Sequence, residues 1–472
     1  MQELLLISCG LDVHKDSVEA CILKANGTSE PETIRKAFTM MRGDILLLRD
    51  WLESNGCVNV AMESTGVYWI PVYEILEEAS GGMNLCLVNS YHMRNVPGRK
   101  SDMSDAEWIA TLYMCGLLQK NYVPERGIRE MRGYTRYYAK LVRERVRLLN
   151  RLEKFLQTHG FKLSSVLSKI DGVSAGRILR KLSEHGYVSV FDVEKCLARG
   201  VKMTADEIAY AINGNLTEPS RALLRLQLET LSAHDRYIDE VYAAMLRVAS
   251  PYTQEIELLS TIPGIDELSA MYIIAEIGTE LSAFKTAGHL VSWAGLRPKN
   301  DESAGKIKSK SVTKGNYYVK SILCQCAWAS TRTRNTRPSN WYWRNVNRLG
   351  KKTAIIAVSR KLLVYVYNII VEKKPYNALL DKIDTAMYNA YKLEAAKKKI
   401  SMLEGKTNVM RAISLETDRN KRISNDLQSE SNIDNNVHGD KKSPVFCSPD
   451  AVSGAAAPPR KRGRPRKNPT PV

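Results

Sequence analysis

The order of apolar periodicities between residues 4 and 116 constrains this chain of 472 residues more than any other feature. Leu4 to Val13, Ser17 to Lys24 and Ile34 to Thr39 read as strands, with Asn26-Gly27 as a turn. Gly43 to Asn55 reads as a helix through Ile45, Leu46, Leu48 and Leu52. A strand at Val58 to Met62, a helix at Val67 to Glu78, a strand at Asn84 to Val88 and a helix at Asp102 to Leu118 follow. Three strands, a helix and then alternation is an α/β order, and specifically the ribonuclease-H-like one.

Acids stand at telling points of that order. Asp12 ends the first apolar run, in Gly10-Leu11-Asp12-Val13-His14-Lys15-Asp16. Glu63 ends the run Val58-Asn59-Val60-Ala61-Met62 and precedes the turn Ser64-Thr65-Gly66. Asp102 and Asp105 are three apart, so on a helix they point the same way. A lone Asp at a strand end is usually a cap or turn residue. Four acids on the first strand, the fourth strand and the last helix fit one metal site instead. Carboxylates without His or Cys partners are hard oxygen ligands that suit magnesium or manganese. Two such ions roughly 4 Å apart can activate one oxygen and stabilise the leaving oxygen at phosphorus. Asp16 and Glu107 read as surface acids or as support for that site.

The net charge of +18 and a pI near 9.4 favour a polyanionic partner, although part of the excess lies in the C-terminal tail. Nine scattered cysteines without a CxxC pair predict reduced thiols in a cytoplasmic protein and no structural zinc. Even Cys324 and Cys326 would face different ways on a helix. The apolar start, Met1 to Ser8, lacks a basic region and reads as a core strand rather than a signal peptide. The most apolar segment, Thr353 to Val371, is broken by Ser359, Arg360, Lys361 and Asn368, so no membrane span or membrane partner is expected.

Four regions follow: an acid-bearing domain over 1–125, a helical linker over 126–250, a helical C-terminal domain over 251–392 and a tail over 393–472. In the linker, Leu141, Leu148 and Phe155 recur at seven among Arg and Lys, which predicts a coiled-coil or helical-hairpin arm or a helix packed on its own domain. Pro263 and Gly264, between short apolar helices, suit a helix-hairpin-helix whose backbone N–H groups bind a phosphate, though such turns also occur without a ligand. The tail loses apolar periodicity, which predicts disorder. Within it Arg462-Gly463-Arg464-Pro465, flanked by basic residues, is an AT-hook pattern for the minor groove of A·T-rich DNA.

A loop from Trp293 to Lys306, continued by Lys308, Lys310 and Lys314, surrounds Ser303 with lysines. A serine hydroxyl is a poor nucleophile unless a base or metal activates it. The residues alone leave Ser303 as a turn residue or phosphate donor, with Ser309 and Ser311 as rivals.

Taken together, Gly10 to Lys15, Met62 to Gly66, Pro97-Gly98-Arg99-Lys100-Ser101-Asp102-Met103-Ser104-Asp105-Ala106, Thr261 to Ile265, Ala294 to Pro298, Glu302 to Lys306 and Gly350 to Val358 closely resemble the DEDD transposases of bacterial insertion sequences, the IS-one-ten family. The resemblance covers about residues 4 to 375 and ends before the tail. It implies a resolvase-like catalytic domain, a coiled-coil linker and a C-terminal transposase domain. It also implies Asp12, Glu63, Asp102 and Asp105 as metal ligands and Ser303 as the nucleophile of a phosphoserine link. A guide (bridge) RNA from the same element, donor and target DNA, and homodimers pairing into a homotetramer are the implied partners. Arg99, Lys100, Lys306, Lys308, Lys310 and Lys314 are the basic residues of the matched blocks and their continuation, and they are expected at nucleic acid. The alternatives are a metal-dependent nuclease that uses water as nucleophile, and a non-catalytic nucleic-acid-binding protein.

Overall fold

A computed structural model describes residues 5–433 except 26, 28–29, 65, 80, 90–92, 94–102, 300, 304–305 and 310. Strands β1 (Ile7–Val13), β2 (Ser17–Lys24) and β3 (Glu32–Thr39) lead into α1 (Arg42–Ser54), β4 (Asn59–Glu63), α2 (Trp69–Glu77), β5 (Asn84–Val88) and α3 (Asp105–Met114). The sheet order is β3-β2-β1-β4-β5. Directly linked β1, β2 and β3 pair antiparallel, whereas β4 pairs parallel with both β1 and β5 after helical crossovers. This is the mixed sheet that the periodicities predict.

Side-chain alternation gives the sheet two dry faces. Cys9, Leu11 and Val13 point with Val60 and Met62 into a core closed by Ile45, Leu48 and Leu52 of α1 and Val72, Ile75 and Leu76 of α2. Ala61, Cys86 and Val88 instead meet Ile109 and Leu112 of α3, while Cys21 and Leu23 meet Ala106 and Ala110. Strands buried on both faces read as near-continuous apolar runs, which is why β1 and β4 are so visible in the sequence. Edge strand β3 is mostly exposed.

The last helix of this domain starts at Asp105, not at Asp102. Ser104 is its N-cap, with extended backbone and a hydroxyl that accepts from the Glu107 amide at 3.3 Å. Asp102, expected within this helix, lies outside the described residues.

The arm is an intramolecular hairpin. Helix α4 (Arg126–Thr158) packs along α9 (Glu218–Ala249), and the short helices α5 (Leu163–Val166), α6 (Val173–His185), α7 (Val190–Cys196) and α8 (Ala205–Ala211) join them. Arg145 binds Asp235 at 2.5 Å and Asp171 at 2.9 Å, and the His234 ring meets the Leu141 carbonyl at 2.9 Å. Leu152, Leu156, Leu179, Leu182, Val193 and Ile208 form the dry cap at its far end.

The C-terminal part comprises α10 (Thr253–Ser260), α11 (Glu267–Ile277), α12 (Ala287–Trp293), a hairpin of β6 (Asp301–Ser303) and β7 (Lys306–Ser309), α13 (Tyr317–Arg332), α14 (Arg337–Leu349) and α15 (Lys351–Glu372). Its core draws in Ile128 and Met131 from α4 and Met245 and Ala249 from α9, so the root of the arm belongs to it. Helix α15 is long and apolar enough to cross a membrane, but nine of its residues, from Ala354 to Ile370, are buried in this protein core. Asn389–Val472 forms a separate unit, described only as the rest of helix α16 (Leu379–Ile433). The hook residues Arg462, Gly463, Arg464 and Pro465 lie outside the described residues.

Candidate active site

Gly10 builds the acid site. A Cβ there would collide with the Ala106 carbonyl and the Ala110 amide nitrogen, so only glycine lets the backbone of α3 rest directly on β1. Buried Ser8, on the same face, donates to the Ala110 carbonyl at 3.0 Å and fixes the helix there. Asp12 is the next residue on that face. Glu63 continues the same face from Ala61 on β4, where Leu11 is in register with Met62. The Ser64 amide donates to the Val88 carbonyl at 2.9 Å and holds the exit from β4 against β5.

Three of the four expected acids thus occupy one edge: Asp12 and Glu63 at adjacent parallel strand ends, Asp105 at the start of the helix covering them. Burial raises the Asp12 carboxyl above its ordinary value; His14 opposes the rise, and the charges of Asp105 and Glu19 add to it. The His14 ring meets Asp12 Oδ2 at 3.1 Å and is itself 62% exposed, so this pair opens to solvent. Among the described residues, no three His, Cys, Asp or Glu groups stand close enough to hold a metal ion. Asp102, expected as the fourth ligand, is outside them.

Two neighbours escaped the sequence reading. Glu19 is the cross-strand partner of Asp12, and period-two spacing from the apolar Cys21 and Leu23 is its signal. Arg35 reaches over from β3 to Glu107 at 2.5 Å, giving that acid a structural partner. The Ser104-x-x-Glu107 spacing marks the helix start for the same reason that a hydroxyl followed by an acid marks any capped N-terminus.

The serine loop is a β-hairpin. Ser303 ends β6 in register with Lys306 of β7, and the chain below stays paired through Lys299 N to Ser311 O at 2.9 Å and Thr313 N to Arg297 O at 3.0 Å. Lys306 and Lys308 lie on β7 and Lys314 is exposed below it; Lys310, Arg99 and Lys100 are outside the described residues.

The hairpin returns into Asn316, which anchors it. Its side-chain oxygen accepts from the Tyr318 and Val319 amides at 2.9 and 3.1 Å, and its Nδ2 donates to Glu276 at 2.7 Å. Glu276 is buried and also takes two hydrogen bonds from Arg136, whose guanidinium lies 4.2 Å from the Tyr318 ring. Arg132 donates to the Ala275 and Glu276 carbonyls at 2.9 and 2.7 Å.

At the Pro263–Gly264 turn, Gly264 has φ +90° and sits where a Cβ would strike Cys326 O and Ser330 N of α13. Asp266 caps α11 through the Ser269 amide at 2.8 Å. Close packing on a helix thus accounts for this glycine, and a carboxylate already occupies the helix N-terminus.

Comparison with known proteins adds the chemistry that geometry leaves open. A family profile described as a transposase matches residues 9–160, and one described as the transposase IS116/IS110/IS902 family matches residues 256–343. The transposase for insertion sequence element IS1111A of Coxiella burnetii is 20% identical over 305 residues, covering 62% of this chain and 73% of that protein. Pilin gene-inverting proteins of Moraxella bovis and Moraxella lacunata are 32% identical over 123 residues, which span 25% of this chain and 38% of each of theirs. The first match covers the acid-bearing sheet and the second stops short of the tail, so the protein is by class a DNA recombinase. It belongs to the IS116/IS110/IS902 family of transposases.

Proposed function

We propose that this transposase is an RNA-guided recombinase that cuts and rejoins DNA through a phosphoserine link at Ser303, assisted by a divalent cation at Asp12, Glu63, Asp102 and Asp105. The approach of Asp105 to Asp12, with Glu63 ending the adjoining strand on the same face, carries this reading. The sheet order, with its antiparallel first three strands, supports a ribonuclease-H-like domain. The donor set fits the ion: all ligands are hard oxygens, and Asp12 carries repulsion from Asp105 and Glu19 that a cation relieves. Asp102 is the fourth acid of the proposed set.

When bound, magnesium or manganese supplies charge neutralisation at phosphorus and acidifies a nearby hydroxyl. Ser303 Oγ forms a new bond to phosphorus while the deoxyribose oxygen leaves and takes up the proton that serine loses. The resulting ester conserves the bond, so rejoining by a deoxyribose hydroxyl releases Ser303 without a nucleotide cofactor. Lys306, Lys308, Lys310, Lys314, Arg99 and Lys100 hold phosphates near the reacting strand. Guide-RNA pairing selects sequence, leaving the protein to recognise shape and backbone. A homodimer pairing into a homotetramer brings serine and acids of different protomers together. Gene inversion, for which the Moraxella relatives are named, is itself a strand exchange and supports the reading.

The test is to trap the protein–DNA adduct on a nicked substrate in magnesium. Ser303→Ala, Asp12→Asn and chelation should each abolish the adduct, and RNA copurifying with the wild-type protein should derive from the element's flank. Cleavage that survives Ser303→Ala would instead establish water as the nucleophile, and an absence of bound RNA would remove guidance.

A further inference from the structure

Two adjoining cavities follow the face where α4 passes the first turns of α11 and α13. One, of about 470 Å³, is lined by Arg136, Tyr137, Lys140, Arg143, Arg147 and Tyr318, with Glu144 as its acid. The other, of about 380 Å³, shares Arg143 and Tyr318 and is walled by Tyr138, Tyr272 and Tyr317. Arg136, Lys140, Arg143 and Arg147 follow one another at spacings of four, three and four, so they form a single stripe on α4.

The groove combines surplus cations with uncovered rings. Arg136 is engaged by Glu276 and Asp266 caps α11, but Lys140, Arg143 and Arg147 outnumber the remaining acid, Glu144, which stands 4.0 Å from Lys140. Tyr137 and Tyr317 are 51% and 64% exposed, and a single such ring would need no explanation. Two exposed tyrosines beside a basic stripe, with half-buried Tyr138, Tyr272 and Tyr318 behind them, do form a pattern: aromatic faces for bases to stack on, next to charges spaced for a phosphate backbone. Bases inside a duplex cannot reach such rings. Asn316 precedes Tyr317 in the chain, so a strand lying over that ring leads toward the base of the Ser303 hairpin.

We infer that this groove binds one unpaired nucleic-acid strand, its bases stacked on Tyr137 and Tyr317 and its phosphates held by Lys140, Arg143 and Arg147. Cleavage does not enter the inference, so it stands or falls separately from the phosphoserine mechanism.

Fluorescence anisotropy of the full-length protein with labelled oligothymidylate, oligouridylate and a DNA duplex of equal length tests it. Replacing both Tyr137 and Tyr317 by Ala should weaken single-strand binding about 30-fold or more, from roughly 1–3 kcal/mol per stacked base at two rings, with duplex affinity held within about twofold. The matching double Phe variant should bind as the wild type does, which separates stacking from misfolding. Arg143→Gln with Arg147→Gln should flatten the salt dependence of single-strand binding. Tighter binding of oligothymidylate assigns the groove to a separated DNA strand, tighter binding of oligouridylate to RNA. Unchanged single-strand affinity in the double Ala variant, an equal loss for the duplex, or no single-strand binding by the wild type overturns the inference.

Discussion

Arg136 on the arm helix grips Glu276 at the end of α11 through two hydrogen bonds, at 2.7 and 2.9 Å. The same carboxylate holds Asn316, the residue that returns the serine hairpin to α13. One buried acid thus joins the arm, the C-terminal core and the base of the hairpin. Glu276→Ala leaves Arg132 and Arg136 without their counter-charge and should destabilise the protein by about 3 kcal/mol. Asn316→Ala, which removes a helix cap, should cost about 1 kcal/mol. Urea unfolding measures both, and equal effects would mean that Glu276 is no hub.

Gly10 decides whether α3 can reach β1. Gly10→Ala should cost about 1–3 kcal/mol from overpacking and lift Asp105 away from Asp12. Recombination should fall further than the drop in stability explains. A variant with native melting behaviour and full activity would show that close approach to be dispensable.

Asp12 should trade stability for function. Its carboxyl is raised above 3.8 in the folded protein, chiefly by burial, so the folded state binds its proton more tightly than the unfolded chain. The resulting penalty is absent below about pH 4, grows as pH rises toward the folded value, and is complete above it. In chelator, Asp12→Asn should therefore melt above the wild type at pH 7 and level with it under acid. Added magnesium should raise the melting temperature of the wild type and not of the variant. A variant that melts lower at pH 7 would contradict the sign of the shift.

The tail should act on DNA retention alone. Deleting residues 393–472 should lower affinity for A·T-rich duplex and reduce the salt slope by about 0.9 for each phosphate that the tail neutralises. Adduct formation at low salt should persist. Unchanged DNA affinity after the deletion would end the hook reading of Arg462 to Pro465.

The strands and crossover helices of the N-terminal domain are legible in the chain because burial on one or two faces leaves a period that local sequence must carry. Asp12 and Glu63 stand out because each terminates such a run, and Asp105 because it follows a serine cap. The heptads of α4 announce a helix with an apolar side, but not its partner: Leu141 and Leu156 suit a second copy as well as they suit this chain. The return of α9 through Arg145–Asp235 makes it this chain. The serine region reads as a loop because its small residues and lysines have no period, while cross-strand backbone bonds make it a hairpin.

Which residues carry chemistry follows from the order of amino acids, since carboxylates, serine and lysines keep their reactive groups wherever they lie, and so does the succession of strands and helices. Which of those residues meet is a matter of tertiary packing. Asp12 approaches Asp105 because glycine at position 10 lets two backbones touch, and Glu276 serves three elements because residues 140 positions apart along the chain share one dry junction. Such meetings depend on distance and desolvation, and neither is written into local periodicity.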